Sequence, residues 1–238
     1  MTNLGIIGSG AIGAGIARLA VAAGHEVLVA NSRGPESLRE LVRELGGKAH
    51  AGTPAEAASF GDLVVLAVPL AAYGALPFEL LAGRTVLSTG NYYPSRDGRI
   101  EVLDSAAKTT AEYEESLLPG AVLVKAFNNI LAHHIPALAR PAGAPDRSGL
   151  AVAADDRGAK QVVSALVDSL GFDPVDAGSL AESWRFEPES GAYTTVYVAD
   201  PELFAKNWLA DPGAPLPAER LRELLALSHR PDVASRAF

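Results

Sequence analysis

A glycine loop near the start of the chain constrains its fold more than any other feature. The loop has the spacing G-x-G-x-x-G and consists of Gly8, Ser9, Gly10, Ala11, Ile12 and Gly13. An apolar segment, residues 4–7, precedes it, and apolar residues at helical spacing follow it as far as Gly24. Residues 26–30 form a second apolar segment. This succession of strand, glycine loop, helix and strand is typical of the βαβ unit that binds the pyrophosphate of a dinucleotide.

Each glycine of the loop has a physical reason to be there. Gly8 permits the tight turn out of the strand, Gly10 lets the backbone approach the pyrophosphate, and Gly13 lets the helix pack close to the sheet. The free N–H groups and the positive dipole end of the helix then meet the phosphate charge. We therefore expect all the loop residues to bind the cofactor. A plain tight turn in an α/β fold is the alternative.

The end of the second strand indicates which dinucleotide is bound. An Asp or Glu at this point would accept hydrogen bonds from the ribose 2′-hydroxyl of NAD. This chain has Asn31, Ser32 and Arg33 instead. A guanidinium can bind a 2′-phosphate through paired hydrogen bonds, and a serine hydroxyl can donate another. These residues favour NADP(H), although a solvated arginine in a surface loop would give the same pattern.

The rest of the chain continues to alternate between strands and helices. Further strands are predicted near residues 48–50, 62–68, 84–88 and 121–127. Helices are predicted from Pro35, within residues 71–82, and over a short segment that Thr53-Pro54 caps and that ends near Phe60. Residues 90–110 are more polar and look irregular. This alternation predicts an α/β fold with a doubly wound parallel sheet. We expect a dinucleotide-binding domain over residues 1–139 and a smaller C-terminal α/β part with a tail over residues 148–238. An exposed loop, residues 140–147, would join them.

Several motifs give the chain a resemblance to a known family. They are Gly24-His25-Glu26-Val27, Val68-Pro69 after the fourth strand, Val124-Lys125-Ala126-Phe127-Asn128-Asn129, and the stretch from Gly171 to Gly178. With these residues and the glycine loop, the chain resembles the NADP oxidoreductases that use the deazaflavin coenzyme F420 as hydride partner, over about residues 2–180. The resemblance implies a Rossmann fold with a small C-terminal part, a homodimer, and coenzyme F420 as co-substrate. The chain departs from the family at residues 179–185, in the longer loop at residues 89–96, and in the tail from Pro188.

Ligands of open α/β sheets bind beyond the carboxyl ends of the strands. We therefore expect the site to be lined by residues 68–70, 89–94 and 127–134. Val68, Pro69 and Asn91 are the cofactor-binding candidates in these loops, and His133 and Asn128 are the catalytic candidates. Tyr92, Tyr93, Trp184 and Arg185 are candidates for contacting a flat substrate or for closing the pocket, with simple packing as the alternative.

Each catalytic candidate has a structural alternative. His133 or His134 could donate a proton to the reduced substrate, or could be an ordinary helix-end histidine. The two adjacent rings are expected on different sides of a helix, so they make a poor metal pair. Asn128 could bond the nicotinamide ribose or the substrate, or form a turn. Lys125 lies inside an apolar strand, where an unpaired ammonium is costly, so it should pair with an acid, extend to solvent or bind substrate.

Composition excludes several classes of function. The chain has 238 residues, a formal net charge of −8 and no cysteine. Without a Lys/Arg-rich run, binding to nucleic acids or to anionic membranes is not expected. The lack of cysteine excludes disulfides, thiolate metal sites and a Cys nucleophile, and fits a cytoplasmic location. The longest apolar run, residues 63–72, contains Pro69 and is too short to span a bilayer. No metal site is expected.

Three functions fit the sequence. The first is an NADPH-dependent reductase that passes hydride to a flat conjugated acceptor such as coenzyme F420. The second keeps the reductase and changes the acceptor to a flavin, a ferric chelate, an imine or a carbonyl compound. The third is a redox sensor that binds NADP(H) without turning it over.

Overall fold

The computed structural model describes residues 2–236 and is built around one eight-stranded sheet. The strands are β1 (Asn3–Ile7), β2 (Glu26–Ala30), β3 (Ala49–Gly52), β4 (Leu63–Leu66), β5 (Thr85–Ser88), β6 (Val122–Ala126), β7 (Gly149–Ala153) and β8 (Asp173–Asp176). Their order in the sheet is β3-β2-β1-β4-β5-β6-β7-β8. The predicted α/β class and doubly wound order are confirmed.

The sheet is parallel except at one pair of strands. Strand β7 runs antiparallel to β6, with Lys125 opposite Ala153 and Ala126 opposite Val152. The doubly wound sheet is therefore mostly parallel, as predicted, and the β6–β7 pair is its one exception among residues 2–236. The chain between β6 and β7 contains one short α-helix, His134–Leu138, and stays at the carboxyl end of β6, so β7 starts there and runs back along β6. Strand β8 is again parallel to β7, because the long helix Arg157–Ser169 connects them.

Helices cover both faces of the sheet. The α-helices are α1 (Ala11–Ala22), α2 (Arg39–Leu45), α3 (Pro54–Phe60), α4 (Phe78–Leu81), α5 (Pro94–Asp97), α6 (Glu101–Asp104), α7 (Thr110–Ser116), α8 (His134–Leu138), α9 (Arg157–Ser169), α10 (Pro201–Lys206) and α11 (Ala218–Leu227). The 3₁₀ helices are Pro35–Leu38, Leu70–Ala75, Leu180–Phe186, Thr194–Tyr197, Trp208–Ala210 and Val233–Ser235. The two faces carry separate apolar cores, one under α1 and α9 and one under α3 and α7.

Two segments differ from their predicted form. Residues 71–82, predicted as one helix, form the 3₁₀ helix Leu70–Ala75 and the short α4, because Pro77 cannot donate a backbone hydrogen bond within a helix. Residues 90–110 are less irregular than predicted, since they contain α5 and α6. The predicted capping of α3 by Thr53 is confirmed, and Glu56 completes a capping box with it.

The C-terminal strands belong to the same sheet as the N-terminal ones. Strands β7 and β8 extend the sheet beyond β6, so its hydrogen bonding crosses the predicted boundary near residues 140–147. That stretch is not wholly exposed: Arg147 is buried and forms ion pairs with Asp168 and Asp173. The division into domains of residues 1–139 and 148–238 stays a prediction.

The topology fixes where a ligand can reach the sheet. Strands β2 and β3 lie on one side of β1, and β4 lies on the other. The connections leaving β1 and β4 therefore diverge at their carboxyl ends and open a crevice between them. Crevices at such switch points are the usual binding sites of doubly wound sheets.

A buried ion pair lies beneath one side of this crevice. The Nζ atom of Lys125 on β6 lies 2.8 Å from Oε2 of Glu114 on α7, and both side chains are fully buried. The Tyr73 hydroxyl donates to Oε1 of Glu114 at 2.9 Å. Burial and the nearby Glu114 carboxylate together raise the pKa of Tyr73 well above its usual range. The expectation that Lys125 pairs with an acid is confirmed.

We expect Lys125→Met to lower the free energy of unfolding by about 3–5 kcal/mol, because it leaves the Glu114 carboxylate buried without its cation. Adding Glu114→Gln should recover most of that loss, since a neutral amide oxygen still accepts from Tyr73. Urea unfolding of the two variants measures both values. If Lys125→Met alone were as stable as the unmodified chain, the prediction would be contradicted.

Candidate active site

The crevice contains two adjoining cavities. The larger, of about 620 Å³, lies beside the glycine loop, and the smaller, of about 330 Å³, lies beyond β5 and β6. Ala67, Val68 and Pro69, which follow β4, line both cavities and mark the neck between them. Volumes of this size are typical of sites for small ligands. Val68 and Pro69, predicted as cofactor-binding residues, thus lie in the wall shared by the two cavities.

The larger cavity brings together the two sequence features that predicted a dinucleotide. Its lining includes Gly8, Ser9 and Gly10 from the loop, together with residues 31–33 from the end of β2. Ala11 and Ile12 lie on the other side of the neck and line the smaller cavity. Gly13 lines neither cavity and is buried beneath the loop.

Three glycines have different surroundings that explain the motif. Gly8 has φ +117°, and a Cβ atom there would lie 2.2 Å from the carbonyl oxygen of Ala67. A Cβ atom on Gly13 would lie 1.9 Å from the carbonyl oxygen of Gly8. Gly10 has no heavy atom within 4 Å of such a Cβ. Gly8 and Gly13 are therefore required by packing, whereas Gly10 leaves open space at the start of α1.

The Asn31 side chain joins the end of β2 to the glycine loop. Its Nδ2 donates to the Ser9 hydroxyl at 2.9 Å, and its Oδ1 accepts from the backbone N–H of Arg33 at 2.9 Å. Ser32 and Arg33 are exposed at the edge of the larger cavity. The Arg33 guanidinium forms no ion pair with any of residues 2–236. It therefore presents an uncompensated positive charge to the cavity.

The smaller cavity is built from both ends of the chain. Residues 89–91 follow β5, and Asn128 follows β6. Phe127, at the turn out of β6, has φ +61°, a left-handed conformation that a phenylalanine adopts only when packing imposes it. Tyr193, Thr194 and Trp208 of the C-terminal part close the other side.

Hydrogen bonds fix the polar side chains of the smaller cavity. Nδ2 of Asn91 donates to the carbonyl oxygen of Asn128 at 2.8 Å and to the Tyr193 hydroxyl at 3.2 Å. Nδ2 of Asn128 donates to Oδ1 of Asn91 and to the carbonyl oxygen of Phe186. Oδ1 of Asn128 is buried and has no partner among residues 2–236. The Tyr193 and Tyr93 hydroxyls form a short hydrogen bond. Burial, reinforced by Tyr93, raises the pKa of Tyr193, so its phenol stays protonated.

The two histidines lie elsewhere. His133 and His134 do not point to different sides of a helix as predicted: both Nε2 atoms lie 3.0 Å from the carbonyl oxygen of Asp211, with their ring centroids 4.2 Å apart. The reason is that α8 begins only at His134, so His133 precedes the helix. Burial lowers the pKa of His134. His133 packs against Trp208 and is not part of the lining of either cavity.

Of the remaining aromatic candidates, only some lie at the cavities. Tyr92 is buried, and its hydroxyl bonds to Gly98 and Asp104, so it packs the loop instead of facing the cavity, whereas Tyr93 lines the smaller cavity. Trp184 and Arg185 stack on each other outside both cavities. Sequence patterns missed Tyr193, Thr194 and Trp208, which lie in the tail where no motif was recognised. Within residues 2–236, no group of acidic, histidine or cysteine side chains is arranged to hold a metal ion.

Comparison with known proteins agrees with this arrangement. The sequence model of the family described as NADP oxidoreductase, coenzyme F420-dependent, matches residues 3–92, which contain the glycine loop, residues 31–33 and Asn91. A solved structure of a hypothetical protein from Sinorhizobium meliloti is 33% identical, with a TM-score of 0.65, and covers 77% of this chain and 88% of that one. The chain belongs to the F420-dependent NADP oxidoreductase family.

Other relatives extend the comparison beyond the family model. A candidate F420-dependent NADP reductase from Arthrobacter sp. FB24 has the same fold, with 24% identity, a TM-score of 0.63, and coverage of 77% of this chain and 87% of that one. The metalloreductase STEAP3 of Rattus norvegicus is 33% identical over 187 residues, which is 78% of this chain and 36% of that protein. The chain thus spans just over a third of the length of this curated relative.

Gly10→Ala should affect NADPH binding, whereas Gly13→Ala should affect the stability of the fold. We expect Gly10→Ala to leave the melting temperature unchanged, because its methyl group meets open space and its φ of −69° suits alanine. If a pyrophosphate approaches there, overpacking by about 1–3 kcal/mol should weaken NADPH binding by about fivefold to a hundredfold.

Gly13→Ala should instead destabilise the fold, because its methyl group meets the Gly8 carbonyl. Thermal unfolding and NADPH titration of both variants measure the two effects. Unchanged NADPH affinity in a stably folded Gly10→Ala protein would contradict the close approach.

Proposed function

We propose that this chain is an NADPH-dependent oxidoreductase that transfers hydride between NADP(H) and a flat conjugated acceptor such as coenzyme F420. One observation carries the proposal: the open backbone at Gly10 and the uncompensated guanidinium of Arg33 line the same cavity. A dinucleotide with a 2′-phosphate has the two charged groups that these features would bind. Membership of an NADP oxidoreductase family supports the same cofactor.

The residues of the larger cavity fit NADP(H). No side chain caps the N-terminus of α1, so its first N–H groups are left for a phosphate. Arg33 and Ser32 would bind the 2′-phosphate, and Asn31 would hold the backbone of Arg33 in place. The remaining loop residues would form the wall next to the pyrophosphate.

The smaller cavity would hold the reacting rings. When bound, the nicotinamide supplies the hydride, and a planar conjugated acceptor needs little acid–base assistance. The chain's part is to align the two rings about 3–3.5 Å apart and to exclude water. Val68 and Pro69 narrow the neck, and the amide side chains of Asn91 and Asn128 lie in the polar part of the wall. Tyr93, Tyr193 and Trp208 form aromatic walls. His133 lies outside the lining of both cavities whereas Asn128 lines the smaller one, so Asn128 is the stronger candidate of the two.

A flavin or a ferric chelate is the second candidate acceptor. The relative from Rattus norvegicus is named a metalloreductase, and its similarity covers 78% of this chain. A ferric ion accepts one electron and a hydride carries two, so iron reduction would need a flavin between them. The departures of residues 89–96 and of the tail from the family pattern affect the smaller cavity, which is where acceptors would differ.

We also propose that the chain acts as a cytoplasmic homodimer with a small-molecule acceptor. Trp208 and Leu209 are apolar side chains that are 49% and 61% exposed, and they form a candidate contact surface. Within residues 2–236, no helix has the length and apolar character needed to cross a bilayer.

Arg33→Asp should weaken NADPH binding about tenfold to a hundredfold, because it removes charge-assisted hydrogen bonds worth about 1.5–3 kcal/mol. NADH binding should change little. The matched control is Arg39→Asp, which changes the same charge at an exposed position outside both cavities. Isothermal titration with both coenzymes gives the values, and equal losses for NADPH and NADH would remove the assignment to NADP.

Acceptor screening tests the reaction itself. Purified protein with NADPH should show loss of the nicotinamide absorbance when coenzyme F420 is added, and no loss without an acceptor. Free flavin, ferric citrate and a small cyclic imine are offered separately. Rapid oxidation of NADPH with only one of these compounds, and not with F420, would identify that compound as the acceptor in place of F420. Tight NADPH binding with no turnover for any of them would favour a redox sensor over an enzyme.

A further inference from the structure

Arg96 has a distinctive place in the smaller cavity. It is the one charged side chain among the described residues that line this cavity, although the chain carries a formal net charge of −8. Its position is on α5, inside the loop at residues 89–96 that departs from the family pattern. None of the proposed steps of hydride transfer uses it.

The structure holds the Arg96 guanidinium in one orientation. Nε and Nη2 bond to the Asp97 carboxylate at 3.0 and 2.8 Å, and Nη2 also donates to the carbonyl oxygen of Asn91 at 2.6 Å. The guanidinium carbon lies 4.8 Å from the centre of the Tyr93 ring. The Asp97 side chain is fully buried and also accepts from the backbone N–H of Tyr93 at 3.0 Å. Arg96 is therefore pre-oriented and not a mobile surface side chain.

One edge of this guanidinium, at Nη1, is available for a ligand. Nη1 forms no hydrogen bond or ion pair with residues 2–236, and the side chain is 39% exposed. A guanidinium fixed on one edge and open on another is suited to a phosphate or another oxyanion, because part of the ordering cost has already been met by the fold.

The neighbours of Arg96 indicate what the oxyanion would be attached to. Tyr193 and Trp208 line the same cavity and offer flat apolar surfaces. The hydrogen-bonding groups among them, from Asn91, Asn128 and the two phenols, are neutral. A ligand that satisfies both features has a planar ring system and a negatively charged substituent.

We propose that Arg96 is a specificity-determining residue that selects planar-ring acceptors carrying a phosphate on a side chain of the ring. This inference rests on the proposed function, since it assigns the smaller cavity to the acceptor. It differs from the role of Arg33, which lines the larger cavity and would bind the phosphate of the cofactor.

Riboflavin and FMN test the inference, because they share one ring system and differ by a phosphate. We expect the unmodified protein to bind FMN about fivefold to twentyfold more tightly than riboflavin, as a partly exposed charge-assisted contact would give. Flavin fluorescence quenching in the presence of NADP⁺ measures both dissociation constants without turnover. Raising salt from about 0.1 M to about 1 M should reduce the preference, because the screening length falls from about 10 Å to about 3 Å.

Variants then assign the preference to one side chain. Arg96→Met should reduce the ratio of the riboflavin and FMN dissociation constants to about one. The ratio is the readout, because loss of the cation beside the buried Asp97 carboxylate shifts the affinity for both flavins together. Arg96→Lys should retain part of the preference. The matched control Arg39→Met removes the same charge from a remote exposed site and should retain all of it.

Two results would overturn the inference. One is equal binding of FMN and riboflavin by the unmodified protein, which needs no variant and no intact loop. The other is a preference for FMN that survives Arg96→Met. The outcome is separate from the proposed function: turnover with both flavins at equal efficiency would reject the role of Arg96 and keep the reductase. Selective FMN binding with no turnover of any acceptor would support the role of Arg96 and reject the reductase.

Discussion

The close packing of α1 against the ends of β1 and β4 is the constraint on which the rest of the structure depends. Gly8 and Gly13 allow it, because a side chain at either position would collide with a backbone carbonyl. That packing brings the uncapped end of α1 to the point where β1 and β4 diverge. The crevice, its narrow neck at Ala67–Pro69 and the open space at Gly10 follow from the same contact. Ligand binding and stability of the sheet therefore share one local geometry.

Buried polar groups hold the loop beside the smaller cavity in place. The Lys125–Glu114 pair lies under residues 88–90, and a Cβ atom on Gly90 would lie 1.9 Å from Oε1 of Glu114. The Ser88 hydroxyl accepts from the backbone N–H of Gly90 at 3.0 Å. Burying two charges is costly unless they are paired, so their position is narrowly specified. The loop above them is held in place, and Asn91 is directed towards Asn128 and Tyr193.

The two cavities differ in what they can recognise, and this difference organises the functional proposal. The larger cavity is formed by residues of a motif that many dinucleotide-binding proteins share, and its features match the family to which the chain belongs. The smaller cavity is also lined by Tyr93, Arg96 and the C-terminal part, which lie outside residues 3–92 that the family model matches. Under the proposed function, cofactor choice would follow from shared features and acceptor choice from features particular to this chain.

The sequence by itself determined the first βαβ unit, the order of most strands and helices, the capping of α3 and the need of Lys125 for a partner, which could still be an acid, solvent or substrate. These features depend on neighbours in the chain or on the cost of an unpaired buried charge. Only the tertiary structure decided the antiparallel placement of β7, the shared contact of His133 and His134 with Asp211, and the meeting of Asn91 with Tyr193. The hydrogen bond between Asn91 and Tyr193 joins residues 102 positions apart in the sequence, so no local sequence pattern predicts it. Arg96 became a candidate for the same reason, since its position in the cavity depends on how distant segments pack.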